Sequence, residues 1–214
     1  TEKFPNILFE GCSAGGGRFD AGVLAYMPQI WTSDNSDAIA RLKMQYSTSM
    51  CYPVYSISSH VTASPNHQCG RVTSLKTRAD VAYCGTFGYE LDVTKMSDEE
   101  FKEIKAQIKF EKRIQDLMCN GDLYRLINPY ETNYCSWEVI SKDKKHIFVM
   151  ACKVLAVAQT KSEKVKLQGL DVNKRYRNML TGKVYSSDFL MYHGIRVNYE
   201  MKDFSTVVFE FAEI

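Results

Sequence analysis

The sequence predicts an α/β half of roughly 120 residues followed by an all-β half of about ninety. Three observations carry this. In the first half, short apolar runs end in polar loops and give way to helical stretches, the alternation expected of strands with crossover helices. A strongly patterned helix over residues 97–119 closes that half. After Asp122 the helical period disappears, and only short β-like runs remain, each bounded by Gly, Asp or Asn. A chain of 214 residues suits one large domain or two modest ones. The predicted domains are 1–121 and 122–214.

The elements follow in order. Residues 4–9, Phe-Pro-Asn-Ile-Leu-Phe, read as a buried strand that runs into Glu10-Gly11-Cys12. Residues 28–32 read as a second short strand ending at Ser33-Asp34. Residues 37–45 are helical, with Ile39, Leu42 and Met44 on the apolar side. Residues 49–56 and 81–87 read as two more strands. The helix at 97–119 opens on Ser97-Asp98-Glu99-Glu100, a Ser-x-x-Glu capping box. Its Phe101, Ile104, Ile108, Ile114 and Leu117 keep helical spacing, and Asn120-Gly121 ends it. In the second half, residues 134–140 and 146–156 flank the turn 141–144. Further strands are expected at 165–168, 175–179, 182–185 and 204–212.

Composition excludes several classes. With 45% hydrophobic and 24% charged residues the chain is neither disordered, collagen-like nor coiled coil. A net charge of +2 gives no basic patch for nucleic acid. No apolar run reaches the length of a membrane span. The first residues lack the pattern of a signal peptide, and they lack a starting Met, as a piece of a longer protein would. The seven cysteines include no Cys-x-x-Cys, and several fall in apolar runs. Most therefore read as free, buried thiols of a reducing, cytoplasmic compartment. His60, His67, His146 and His193 are not spaced as a metal-ligand pair, so no metal site is expected. Residues 44–70 contain no Asp, Glu, Lys or Arg but many hydroxyls and amides, which suits strands buried in a sheet and the loops at their ends.

Two segments carry candidate chemistry. Residues 9–20 read Phe-Glu-Gly-Cys-Ser-Ala-Gly-Gly-Gly-Arg-Phe-Asp. Consecutive glycines after a strand let the backbone approach a ligand and offer its N–H groups. A phosphate cradle, a sugar-lining loop and a purely structural loop are all compatible, although the Gly-Lys-Ser/Thr ending and the dinucleotide spacing are absent. Residues 29–37 read Gln-Ile-Trp-Thr-Ser-Asp-Asn-Ser-Asp. A carboxylate just past a strand end is where barrel enzymes keep catalytic acids. An apolar neighbour such as Trp31 raises a carboxyl pKa and favours a general acid, and its indole can stack on a sugar. The competing reading, favoured by spacing alone, makes Ser33, Asp34 or Asn35 the cap of the next helix, with Asp37 in its first turn. A Cys12 nucleophile served by His60 or His67 is a further, weaker idea.

Residues 9–20 resemble the segment F-E-x-C-S-G-G-G-G-R-F-D of the bacterial retaining α-galactosidases, the melibiose- and raffinose-cleaving enzymes of glycoside hydrolase family 36. Residues 26–39 are similar to that family's acid/base strand. Gln45–Ser49, His60-Val61, residues 65–68, 85–92, 122–126 and 169–171 resemble later blocks, so the likeness covers nearly the whole chain. It implies a (β/α)8 barrel, whose last four strands would lie in residues 1–121, and a C-terminal antiparallel β-sandwich domain in 122–214. It implies Asp34 as the general acid/base of a two-carboxylate mechanism that needs neither a metal nor an organic cofactor. Cys12, Gly15, Trp31 and Arg18 would line the galactose subsite, with Arg18 equally able to hold the loop. The partners implied are α-galactoside oligosaccharides and the remainder of the same enzyme. Ala14 stands where the family pattern has Gly.

One departure matters. The family's nucleophile is an Asp in a Lys-Trp-Asp motif on an earlier strand, and no such motif occurs here. Retaining chemistry needs two carboxyls about 5 Å apart, so the chain is expected to carry half an active site. Half a barrel would also present open strand edges, so the isolated chain is expected to need the rest of the enzyme or to self-associate as a homo-oligomer. A non-catalytic galactose-binding or structural module is the alternative, and an unrelated phosphate binder using the Gly loop is the third.

Overall fold

The computed structural model describes residues 2–12, 14, 17–158, 163–198 and 202–214. The chain divides into two units, Thr1–Ile108 and Lys109–Ile214. The first contains strands β1 (Glu10–Gly11), β2 (Gln29–Ile30), β3 (Ser58–Thr62) and β4 (Thr86–Glu90). β1 pairs with β2 in parallel, as β3 does with β4, and a parallel bridge between Ile30 and Ile57 links the pairs. Chain order is therefore spatial order, β1-β2-β3-β4, all parallel. Helix α1 (Ala21–Leu24) leads from β1 to β2, α2 (Ala38–Thr48) from β2 to β3, and α3 (Leu75–Ala82) from β3 to β4. Ile30, Leu42, Ile57, Val61, Ala79 and Val81 form the buried seam between sheet and helices.

The charge-free stretch 44–70 explains itself here. Ser56, Ser58, Ser59, Thr62 and Asn66 are all buried, and each is hydrogen-bonded. Buried Gln45 donates from Nε2 to Val81 O and Cys84 O at 3.1 and 2.8 Å, and accepts from Ser59 Oγ at 3.2 Å. Hydroxyls and amides can satisfy one another inside a sheet–helix layer where an unpaired charge would be costly.

Three expected strands moved. Residues 4–9 are not a strand; Phe4, Ile7 and Leu8 are exposed, and the strand begins only at Glu10. A strand needs a partner, and Pro5 has no N–H to give one. Residues 49–56 form the turn after α2 and a 3-10 turn at Val54–Ser56, and the strand follows as β3. Residues 81–87 contain the end of α3 and the start of β4. α3 itself was not foreseen, although Ser74 caps it, its Oγ accepting from Thr77 N at 3.0 Å. The cysteine expectation is corrected too: Cys84, Cys135 and Cys152 are buried, but Cys12, Cys51, Cys69 and Cys119 are exposed.

Helix α4 (Asp98–Asn120) opens with the predicted reciprocal box: Ser97 N donates to Glu100 Oε2 at 2.9 Å and Glu100 N to Ser97 Oγ at 3.2 Å. Its C-terminal part belongs to the second unit. There β5 (Asp122–Ile127), β6 (Tyr134–Ile140), β7 (His146–Lys153), β9 (Arg175–Asn178), β10 (Val184–Ser186) and β12 (Ser205–Glu213) form one antiparallel sheet in the order β10-β9-β12-β7-β6-β5. β8 (Lys164–Val165) and β11 (Ile195–Arg196) make a separate antiparallel pair. Ile147, Val149 and Phe211 of the large sheet share one apolar cluster with Val165, Leu167, Leu190 and Ile195, so side chains of both sheets close a common core, as in a sandwich. A short π-helical turn at Phe189–His193 was not predicted.

Candidate active site

Parallel order places the C-terminal ends of all four strands of the first unit on one side, where open α/β sheets bind ligands. On this side the chain continues into Cys12 after β1, Trp31 to Asp34 after β2, and residues 63–71 after β3. Alternation then decides which side chains share a face. Gly11, Ile30 and Val61 turn to the buried helix side. Glu10, Gln29, Ser58 and His60 share the opposite face and are bonded across the strands. Gln29 Nε2 donates to Glu10 Oε2 at 3.0 Å and to Ser58 Oγ at 2.7 Å, and Ser58 Oγ donates to Glu10 Oε1 at 2.5 Å. His60 Nε2 lies 3.4 Å from Ser58 Oγ, and its Nδ1 3.4 Å from Glu90 Oε2. Gly88 makes room for that imidazole: a Cβ there would sit 2.9 Å from His60 Cδ2.

Above this row, Trp31 stacks on His60 with ring centroids 4.6 Å apart, and the Arg41 guanidinium lies 4.0 Å from the indole centroid. Arg41 is buried and donates to Ser58 O at 2.6 Å, Thr32 Oγ1 at 3.2 Å and Ser33 O at 3.4 Å. Burial lowers its pKa to about 10, with the Glu90 charge opposing, so it remains a cation at neutral pH.

The helix cap after β2 is Asp37, not Ser33, Asp34 or Asn35. Asp37 Oδ2 accepts from Ala40 N at 2.9 Å, and its Oδ1 pairs with Arg71 Nε at 3.1 Å. Ser33 and Asn35 instead accept from backbone N–H groups within the turn, at Asn35 and Asp37. Asp34 is therefore released from any capping duty, and its exposed carboxyl faces Cys12, with Sγ 4.0 Å from Oδ1. That separation is the outer limit of a thiol contact. Of the sequence-predicted residues, the structure thus brings Cys12 to Asp34, with Trp31 three residues before it. Arg18 is exposed and forms no ion pair or hydrogen bond among the described residues. Gly15 lies outside the described residues. Ala14 sits at φ +54°, a left-handed conformation suited to the Gly of the family pattern.

His60 is engaged with Ser58, Glu90 and Trp31, which leaves it unavailable as the base for Cys12. Sequence reasoning weighed Glu10 only as a nearby carboxylate that does not match the nucleophile, and it missed Gln68, whose side chain bonds the Asp34 loop, and Glu90, which faces His60. Gln68 lies within the charge-free stretch and Glu90 at the end of β4, and register is needed to see which groups each meets. No group of His, Cys, Asp and Glu arranged to hold a metal occurs among the described residues. The second unit has a cleft of about 420 Å³ lined by Arg113, Lys142, Lys145 and His146. Arg113 pairs there with Glu210, Lys142 with Asp122 and Lys145 with Asp143, and His146 Nε2 lies 2.9 Å from Glu210 Oε1.

Parallel strands with crossover helices, and a carboxyl presented beyond their C-terminal ends, define an α/β unit with its candidate site at that end, followed in the chain by an antiparallel sheet unit. Comparison makes this specific. The melibiase family profile matches residues 1–121, and that of the glycosyl hydrolase family 36 C-terminal domain matches residues 134–211. The chain belongs to the melibiase family of glycosyl hydrolases. It is 47% identical to α-galactosidase AgaA of Geobacillus stearothermophilus over 214 residues, all of this chain and 29% of that protein. It is 47% identical to α-galactosidase Mel36A of Lactobacillus acidophilus over 212 residues, 99% of this chain and 29% of that protein. The crystal structure of AgaA superposes on the whole chain with a TM-score of 0.97, covering 30% of the AgaA chain. Variants of AgaA have been crystallised with raffinose and with stachyose. The chain thus spans less than a third of the length of these relatives. No described helix is long and apolar enough to cross a membrane.

Proposed function

We propose that this chain is the C-terminal part of a retaining α-galactosidase and supplies its general acid/base, Asp34. The observation that carries the proposal is the release of Asp34: Asp37 takes the helix cap, and Asp34 is presented, exposed, beside Cys12 past the end of β2. In such an enzyme Asp34 protonates the leaving oxygen while a nucleophile attacks the sugar, then deprotonates the water that hydrolyses the glycosyl-enzyme. The nucleophile comes from sequence outside this chain. Glu10 and Glu90 are unsuited, since Glu10 is bound by Gln29 and Ser58 and Glu90 faces His60.

Cys12, Gly15, Trp31 and Arg18 line the galactose subsite, with Arg18 equally able to hold its loop. The substrates are α-galactoside oligosaccharides of the melibiose and raffinose type, as the complexes of relatives support. The four parallel strands are the last four of a (β/α)8 barrel, within a domain ending at residue 121, and 122–214 form the C-terminal β-sandwich domain. Seven cysteines without a disulfide pattern support a cytoplasmic enzyme. The test is Asp34→Asn in the complete enzyme. Hydrolysis of raffinose should fall by at least ~10³-fold with the circular dichroism spectrum unchanged. Normal raffinose turnover would sink the assignment.

A further inference from the structure

An acid/base that must meet a glycosidic oxygen in one step and a water in the next has to be held in place, because small misplacements cost large rate factors. The Asp34 carboxyl is not tethered by a strong hydrogen bond among the described residues; its one polar neighbour is the Cys12 sulfur at 4.0 Å. Its position is therefore set by its backbone. Resting on the assignment of Asp34 as acid/base, we infer that Gln68 is a positioning residue for it.

The Gln68 amide clips the loop at two points. Nε2 donates to Asp34 O at 2.8 Å, and Oε1 accepts from Ser36 N at 3.2 Å. One primary amide thus takes a carbonyl and an N–H two residues apart, much as an adjacent strand would. The clip has its own foundation. Asn66 Oδ1 accepts from Gln68 N at 3.0 Å and Cys69 N at 3.1 Å, and buried Asn66 donates from Nδ2 to Ser36 Oγ at 3.1 Å. Ser36 and Asp37 have further anchors, in Thr62 Oγ1 to Ser36 O at 2.9 Å and in the Arg71–Asp37 pair. Among the described residues, Gln68 alone is bonded to the Asp34 carbonyl. Gln68 is also exposed, so truncating it removes a constraint without opening a core.

The chemistry separates positioning from general structural support. Protonation of the leaving group matters for raffinose, whose leaving alkoxide is poor, and little for 2,4-dinitrophenyl α-galactoside, whose phenolate leaves unaided. In the complete enzyme, Gln68→Ala should lower kcat/KM for raffinose roughly 10- to 100-fold and that for the aryl substrate less than ~3-fold. Gln68→Glu retains an acceptor for Ser36 N but, ionised, has no donor for Asp34 O, and should show the same selective loss. In an Asp34→Asn background, Gln68→Ala should cost almost nothing more, as expected of residues acting as a unit. Equal losses on both substrates, or additive losses in the double variant, would overturn the inference while leaving Asp34 in its role. Absence of leaving-group selectivity in Asp34→Asn alone would instead overturn the acid/base assignment itself, and the inference with it.

Discussion

Replacing Glu138 with Gln should remove an alkaline weakness from the second unit. Glu138 sits mid-strand in β6, opposite Tyr124 of β5 and Val149 of β7, and is fully buried. Its Oε2 accepts from Gln168 N at 2.8 Å, while Oε1 has no partner among the described residues. Burial pushes its pKa from 4.5 up to about 8, against the downward pull of the Gln168 N–H and the Lys144 charge. In the unfolded chain the carboxyl ionises near its ordinary value. Between about pH 4.5 and 8 the folded state therefore holds a proton that the unfolded state does not, and stability falls as pH rises. The slope is about 1.4 kcal/mol per pH unit, so the loss from pH 5 to pH 8 is roughly 4 kcal/mol. Above pH 8 both states are ionised and the loss levels off. Gln has no proton to lose and can keep the acceptor for Gln168. Urea unfolding of wild type and Glu138→Gln, followed by the fluorescence of buried Trp137, should give free-energy differences that grow with pH by about that amount. Parallel pH profiles would refute the reasoning.

Other consequences are as direct. Glu210 behaves oppositely: burial pushes its pKa up, but the His146 hydrogen bond at 2.9 Å and the Arg113 charge outweigh it and hold it below 4.5. Its contribution is present above the carboxylate range and lost as pH falls through it, so Glu210→Gln should flatten the acid limb of an unfolding series. Asp37→Ala should cost about 2–3 kcal/mol, from the lost cap and the lost Arg71–Asp37 ion pair, whereas Asp37→Asn keeps the cap and should cost about 1 kcal/mol; thermal unfolding would distinguish them. Gly169 and Gly182 both have φ near +70°, but a Cβ at Gly169 would lie 2.4 Å from Tyr124 Oη, while at Gly182 it meets nothing within 4 Å. Gly182→Ala should cost about 1 kcal/mol and Gly169→Ala distinctly more; equal melting shifts would contradict that crowding. The isolated 214-residue chain, with Phe4, Ile7 and Leu8 exposed, should self-associate in light-scattering measurements and do so less as Leu8→Lys; a monodisperse monomer would refute this.

Legibility differed between the two halves for physical reasons. The helix at 97–119 was readable because its cap and apolar stripe are local, and its ends came out within a residue or two. The strands of the second unit were readable because β6 and β7 are largely apolar runs on either side of a short polar turn. In the first unit the two-residue strands β1 and β2 leave no periodicity to detect. The apolar run at 4–9 looks like a strand because hydrophobicity alone cannot tell a paired segment from an unpaired one. At the site, spacing favoured a capping role for the residues around Asp34, since Ser33, Asp34, Asn35 and Asp37 all have side chains able to cap. Only coordinates reveal that Asp37 does so. Gln68 lies 34 residues from Asp34 in sequence, and no local rule links them. The resemblance in residues 9–20 and 26–39 carried the family, and it named Cys12, Trp31 and Asp34, but not the side chains that hold them.

The most direct test of Asp34 as acid/base of a retaining enzyme is product analysis of Asp34→Ala in the complete enzyme, with 2,4-dinitrophenyl α-galactoside and sodium azide. With its base removed, the glycosyl-enzyme should wait for water, and the small anion should intercept it without needing deprotonation. The predicted outcome is turnover that rises with azide, α-galactosyl azide as the product, and negligible cleavage of raffinose. Raffinose cleavage at the wild-type rate, with no azide adduct, would contradict the account.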